Sequence, residues 1–120
     1  MPEVLDGVTL GGLRGELGDE VLTELVDLFV SEATGRVEAI AQAVQAEDLD
    51  ALGRAAHALK GSALNLGARE LSELCAFLEE RARQGPGVDL AAVVDRAREV
   101  RPAMERAAAA LRDALRVPRP

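Results

Sequence analysis

The sequence predicts an all-α protein, an antiparallel up-down four-helix bundle with a short extra N-terminal helix. Three observations carry this expectation. Ala, Leu, Glu and Arg, all good helix formers, dominate the 120 residues, and no β-branched or aromatic cluster alternates with period 2. Apolar residues recur at steps of three and four along four long segments. Short breakers containing glycine, proline or aspartate separate those segments.

The first segment is the weakest. Leu5, Val8, Leu10, Leu13 and Leu17 are interrupted by Gly7, Gly11, Gly12 and Gly15, and each interior glycine costs a helix about 1 kcal/mol relative to alanine. A short helix over about 9–16 is expected, held by packing rather than propensity. Asp19 is placed to cap a long helix over roughly 19–46, whose stripe is Leu22, Val26, Phe29, Ala33, Val37, Ile40 and Val44. Asp48 is placed to cap the third helix, where Leu49, Leu52, Ala56, Leu59, Ala63 and Leu66 form a heptad-like seam ending at Gly67. The fourth, over about 68–84, carries Leu71, Leu74, Cys75, Leu78 and Ala82. Gly85-Pro86-Gly87 then breaks the chain. Asp89 opens the last helix, with Pro102 inside its pattern as the expected kink. One domain over 1–116 and a frayed tail over 117–120 complete the expectation.

Composition narrows the function. With 14 Lys+Arg against 21 Asp+Glu the net charge is −7, and Phe29 and Phe77 are the only aromatic side chains. An acidic surface almost without stacking rings argues against nucleic acid. No run of about 18 apolar residues is present to span a membrane, and the N-terminus has no basic and apolar leader pattern. The single cysteine, Cys75, rules out an internal disulfide and fits a reducing, cytoplasmic setting. It falls in an apolar stripe, where a thiol enzyme would need it exposed beside a base.

The unusual chemistry lies on the third helix. The chain has one histidine, His57, and one lysine, Lys60, and residues three apart on a helix are neighbours. At about 100° per residue, His57 points about 130° away from the mean direction of the Leu49–Leu66 seam, toward solvent. Gly53, Lys60, Gly61 and Leu64 flank it. Gly61, one turn on, removes a side chain beside the ring and allows a large partner close approach. A neutral imidazole is a good nucleophile near pH 7. If it accepted a phosphoryl group, a lysine one turn away would neutralise the added charge. On these residues alone, an ordinary surface histidine and a packing or helix-bending glycine remain the commoner reading.

The stretch Ala56-His57-Ala58-Leu59-Lys60-Gly61-Ser62-Ala63-Leu64-Asn65-Leu66-Gly67-Ala68 resembles the signature of histidine-containing phosphotransfer (HPt) domains, an A-H-x-L-K-G-S core followed by L-G-A. Leu71, Leu74-Cys75 and Leu78-Glu79 look like the family's next helix, and Leu5-Asp6 and Leu25 through Phe29 match more weakly. The resemblance implies a four-helix bundle with His57 exposed midway along one helix. His57 would take a phosphoryl group from a receiver-domain phospho-aspartate, or pass it to one, through one ring nitrogen taken as Nε2. Lys60 would stabilise phosphohistidine, and Gly61 would give access. Arg83, near Glu79, is a candidate for further charge and Ser62 for contact with the site; each also reads as an ordinary surface or packing residue. Leu64, with Leu10 and Leu13 of the first helix, is a candidate docking surface.

The implied partners are response-regulator receiver domains and a hybrid histidine kinase, with a monomer sufficient. Any Mg²⁺ belongs to the receiver's acidic pocket, so this chain is expected to need no cofactor or metal and to be a carrier rather than a complete enzyme. An alternative is a four-helix module that binds a receiver or kinase without carrying phosphate; retention of His57, Lys60 and Gly61 argues against it. A self-contained kinase is disfavoured because the 120 residues hold no glycine-rich ATP-binding region. A metal-binding bundle would need several His or Glu-x-x-His ligands.

Overall fold

The structure, a computed structural model, describes residues 3–117. These form six helices: α1 (Gly7–Leu17), α2 (Asp19–Gln45), α3 (Leu49–Asn65), α4 (Arg69–Gln84), α5 (Leu90–Ala97) and α6 (Val100–Arg116). No strand occurs among the described residues. Helix α3 packs against α2 and α4, and α6 closes against α2 and α4. Their apolar stripes meet in one core. Leu22, Val26 and Ile40 of α2, Leu52 and Leu59 of α3, Leu71 and Leu78 of α4, and Val100 and Leu111 of α6 are all essentially inaccessible to water. Burying such a side chain contributes about 1.5–3 kcal/mol, so aliphatic stripes, joined by the buried Phe29 of α2, hold the bundle.

The ends of the helices follow local chemistry. Asp6 accepts from the backbone N–H groups of Val8 and Thr9 and so starts α1 two residues before the expected position. Asp48 and Asp89 cap α3 and α5 through Ala51 and Ala92. Asp19 does not cap α2. Gly18, at φ +80°, occupies that place, and the Asp19 carboxylate pairs with Arg14 instead. Arg14 also donates to the carbonyls of Ala114 and Val117 at 3.0 and 2.7 Å, tying α1 to the end of α6. Val117, expected to be frayed, therefore has an anchored carbonyl. The rest of the proposed tail, 118–120, lies outside the described residues.

The expected last helix is two helices. The break falls at Arg98 and Glu99, one turn before Pro102, which lies in the first turn of α6. A proline ring clashes with the carbonyl four residues back, here that of Arg98, and leaves it without a donor. The interruption is therefore displaced to that carbonyl. Gly67 behaves as expected: it lies at φ +74° just after α3. A Cβ there would stand 3.0 Å from the Asp6 carbonyl oxygen and 3.1 Å from Thr9 Cβ. The Gly67 carbonyl accepts from the Asp6 N–H at 2.6 Å, so this turn both joins α3 to α4 and seats the start of α1.

Candidate functional site

Helix α3 turns its apolar seam inward and presents His57 on the opposite side, with the side chain 67% exposed. What the seam does not show is the neighbour on α4. Glu79 is almost wholly buried, yet it lies among three basic groups. Its Oε2 is 2.6 Å from His57 Nδ1. Its Oε1 accepts from Lys60 Nζ. Arg83, one turn further along α4, donates to Oε2 at 3.1 Å.

The charge state follows from these contacts. The Lys60 hydrogen bond lowers the Glu79 pKa most; burial opposes it by penalising the charged form, and the His57 hydrogen bond and the positive charges reinforce the lowering. Glu79 is thus a carboxylate at neutral pH. A carboxylate can only accept, so Nδ1 must carry the proton on the shared 2.6 Å contact. In the neutral ring the lone pair then resides on Nε2, on the far side of the imidazole from Glu79. Lys60 and Arg83 both reach Glu79, and Arg83 also pairs with Glu80, so two cationic side chains stand close to the ring, as an incoming phosphoryl group requires.

Gly61 is exposed, and a Cβ added to it would meet nothing within 4 Å. The bundle itself does not need a glycine there. Ser62 points elsewhere: its hydroxyl contacts the Arg36 guanidinium at 2.6 Å and the Ala58 carbonyl at 3.3 Å. Five residues beyond His57, it is turned about 140° around the helix. Ser62 is therefore a packing hydroxyl bridging α3 to α2, and the expectation that it touches the site is corrected. Leu64 is 56% exposed, Leu13 is half-buried, and Leu10 is buried in the core. Leu10 thus offers no docking surface; even the weak α1 needs one residue facing inward to hold it on the bundle. Leu13 instead lines a shallow apolar cleft with Leu25, Leu28 and Phe29 of α2, bordered by Ser62 and Asn65 of α3.

Cys75 is buried, and that burial pushes its thiol up to about 12, with Lys60 opposing and Glu79 adding to the shift. It is no nucleophile. Among the described residues no group of three His, Cys, Asp or Glu side chains is arranged to hold a metal, and no helix is long and apolar enough to cross a membrane.

Glu79 is the residue that the functional reading of the sequence missed. The signal was present: it follows Cys75 by four residues on the stripe that also holds Leu71 and Leu78. A glutamate on a buried stripe requires partners, and the basic side chains within reach are His57 and Lys60 across the groove and Arg83 one turn on.

An all-helical bundle that presents a lone imidazole held by a buried carboxylate, beside a lysine and an exposed glycine, defines a phosphoryl-carrier type of site. Comparison with known proteins gives the family. The Hpt domain model matches residues 24–116, and the chain belongs to that family, the histidine phosphotransfer domains of two-component phosphorelays. It is 29% identical over 98 residues to the phosphorelay protein LuxU of Vibrio vulnificus, covering 78% of this chain and 85% of LuxU. It is 31% identical over 83 residues to LuxU of Vibrio cholerae, covering 69% and 74%. In structure it is similar to histidine-containing phosphotransfer protein B (HptB) of Pseudomonas aeruginosa PAO1. That match has a TM-score of 0.84 and 28% identity, covering 99% of this chain and 100% of HptB. A putative histidine-containing phosphotransfer protein from rice shares the fold at TM-score 0.79 and 18% identity, over 94% and 82% of the two chains.

Proposed function

We propose that this chain is a phosphorelay intermediate that accepts a phosphoryl group on His57 Nε2 from a receiver-domain phospho-aspartate and returns it to another receiver. The Nδ1–Glu79 contact carries the reading, because it assigns the two ring nitrogens different tasks. The Nε2 lone pair attacks phosphorus, a nitrogen–phosphorus bond forms, and the phosphorus–oxygen bond to aspartate breaks, releasing the partner's carboxylate. The Nδ1 proton stays in place, and Glu79 stabilises the positive charge that develops on the ring. Lys60 and Arg83, both paired with Glu79, supply positive charge beside the ring, and Lys60 is read as the cation that leaves Glu79 to meet the added phosphoryl group. Gly61 leaves the approach to Nε2 clear, which in-line attack requires.

Leu64 and the Leu13–Leu25–Leu28 cleft are read as the apolar part of the receiver's docking face, with a hybrid histidine kinase upstream. The chain is read as one domain over 1–116, an up-down bundle of α2, α3, α4 and the α5–α6 pair with α1 laid across it. It acts as a cytoplasmic monomer, and any Mg²⁺ is held by the receiver.

The test is a transfer screen in which the chain is incubated with phosphorylated receivers from its own organism. Acid-labile, base-stable label that disappears in His57→Gln, with helical content unchanged, supports the reading. Receivers that bind tightly but never transfer would instead make the chain an interaction module.

A further inference from the structure

Two glycines flank His57 by one turn on the same side of α3, and the structure gives them different surroundings. Gly61 faces open space. Gly53 faces α4, where a Cβ added to it would stand 3.3 Å from Ala82 Cβ. Side chains in real proteins seldom approach so closely, and Ala82 Cβ is fixed to its helix backbone, so only a shift of α3 away from α4 relieves the contact. Ala82 follows Glu79 by three residues. Gly53, His57, Glu79, Ala82 and Arg83 all border one groove between the two helices.

We infer that Gly53 and Ala82 form a positioning pair for the nucleophile. Their small size sets the α3–α4 separation at which Glu79 reaches Nδ1 of His57 and Nζ of Lys60 together. Both Glu79 oxygens are engaged, so a movement of the carboxylate that restores one contact to a retreating helix draws on the others. A widening of a few tenths of an ångström is enough to lengthen a charge-assisted contact of 2.6 Å appreciably. Gly53 touches no reacting atom; it acts through Glu79 on the tautomer and aim of the imidazole. The catalytic consequence rests on His57 being the phosphoryl acceptor, while the structural one does not.

The test compares wild type with Gly53→Ala, Gly53→Val and the exchanged pair Gly53→Ala/Ala82→Gly. Imidazole ¹⁵N shifts report which nitrogen carries the proton. Single-turnover transfer from a phosphorylated receiver, over a range of receiver concentrations, separates rate from binding. Expected are a several-fold slower transfer in Gly53→Ala and about tenfold or more in Gly53→Val, at unchanged half-saturating receiver concentration. Proton occupancy should move from Nδ1 toward Nε2, with recovery in the exchanged pair. Gly53→Ala favours helix, so it should melt no lower than wild type, and it alone decides the matter if Gly53→Val does not fold. Wild-type tautomer and rate in Gly53→Ala, or a loss that the exchange does not restore, overturns the inference. A wild-type chain that takes no phosphate defeats the phosphotransfer reading instead, and the ¹⁵N shifts still judge the positioning pair.

Discussion

Replacing Glu79 by alanine removes the carboxylate that engages His57, Lys60 and Arg83, and its effect can be worked out in advance. A hydrogen bond to a charged group contributes about 1.5–3 kcal/mol when shielded. The carboxylate is buried, but the imidazole is 67% exposed, so water competes for Nδ1 and the lower end applies, about 1.5 kcal/mol. That corresponds to roughly a tenfold shift in the Nδ1–H to Nε2–H tautomer ratio. The shift removes the lone pair from Nε2, and the developing imidazolium also loses its counter-charge. Transfer should therefore slow by at least about tenfold. Folding stability should fall by only about 1–2 kcal/mol, because Lys60 and Arg83 regain water. Glu79→Gln should lie between, since its amide oxygen still accepts from Nδ1 without the charge. The assay pairs rapid-quench transfer kinetics with imidazole ¹⁵N shifts. Wild-type rates in Glu79→Ala, or a slowed rate with the wild-type tautomer, would refute the role given to the carboxylate.

Gly61→Ala meets no atom within 4 Å, so it should stabilise α3 by up to about 1 kcal/mol while slowing transfer, and Gly61→Gln should slow it further; urea titrations alongside transfer rates separate the effects. Gly67→Ala forces a side chain into φ +74° and against the Asp6 carbonyl oxygen, and should cost about 2–3 kcal/mol in a urea titration. The Glu79 pKa is lowered below its ordinary 4.5, so its contribution to stability is complete above that value and is lost as pH falls through the lowered one. The stability difference between wild type and Glu79→Gln should therefore not shrink between pH 8 and about 5, and should shrink only below about 4.5; a difference that shrinks between pH 7 and 6 would contradict that direction.

The stripes of α2, α3 and α4 were legible because a single period of 3.6 residues fixes which side chains share a face, and the same arithmetic turned His57 outward. Two kinds of information were not local. Asp19 is the first residue inside α2 and pairs with Arg14 rather than capping the helix, and that arginine's contacts reach residues about a hundred positions away. Similarly, His57 and Glu79 are 22 residues apart on different helices. Their meeting depends on how closely α3 and α4 pack, which periodicity does not specify. The break at Arg98 was displaced from Pro102 for a reason the chain does state, since a proline acts on the carbonyl four residues before it. Leu10 and Ser62 were assigned to the site by family resemblance, whereas their contacts are with the core and with Arg36.

The most direct test is to find the atom that carries the phosphorus. Long-range ¹H–¹⁵N spectra of the ¹⁵N-labelled chain, recorded immediately after transfer from a phosphorylated receiver, distinguish the two ring nitrogens of His57. Phosphate is expected on Nε2, with the Nδ1 proton retained and its resonance shifted by the Glu79 contact. Phosphate on Nδ1, or on any residue other than His57, would contradict it.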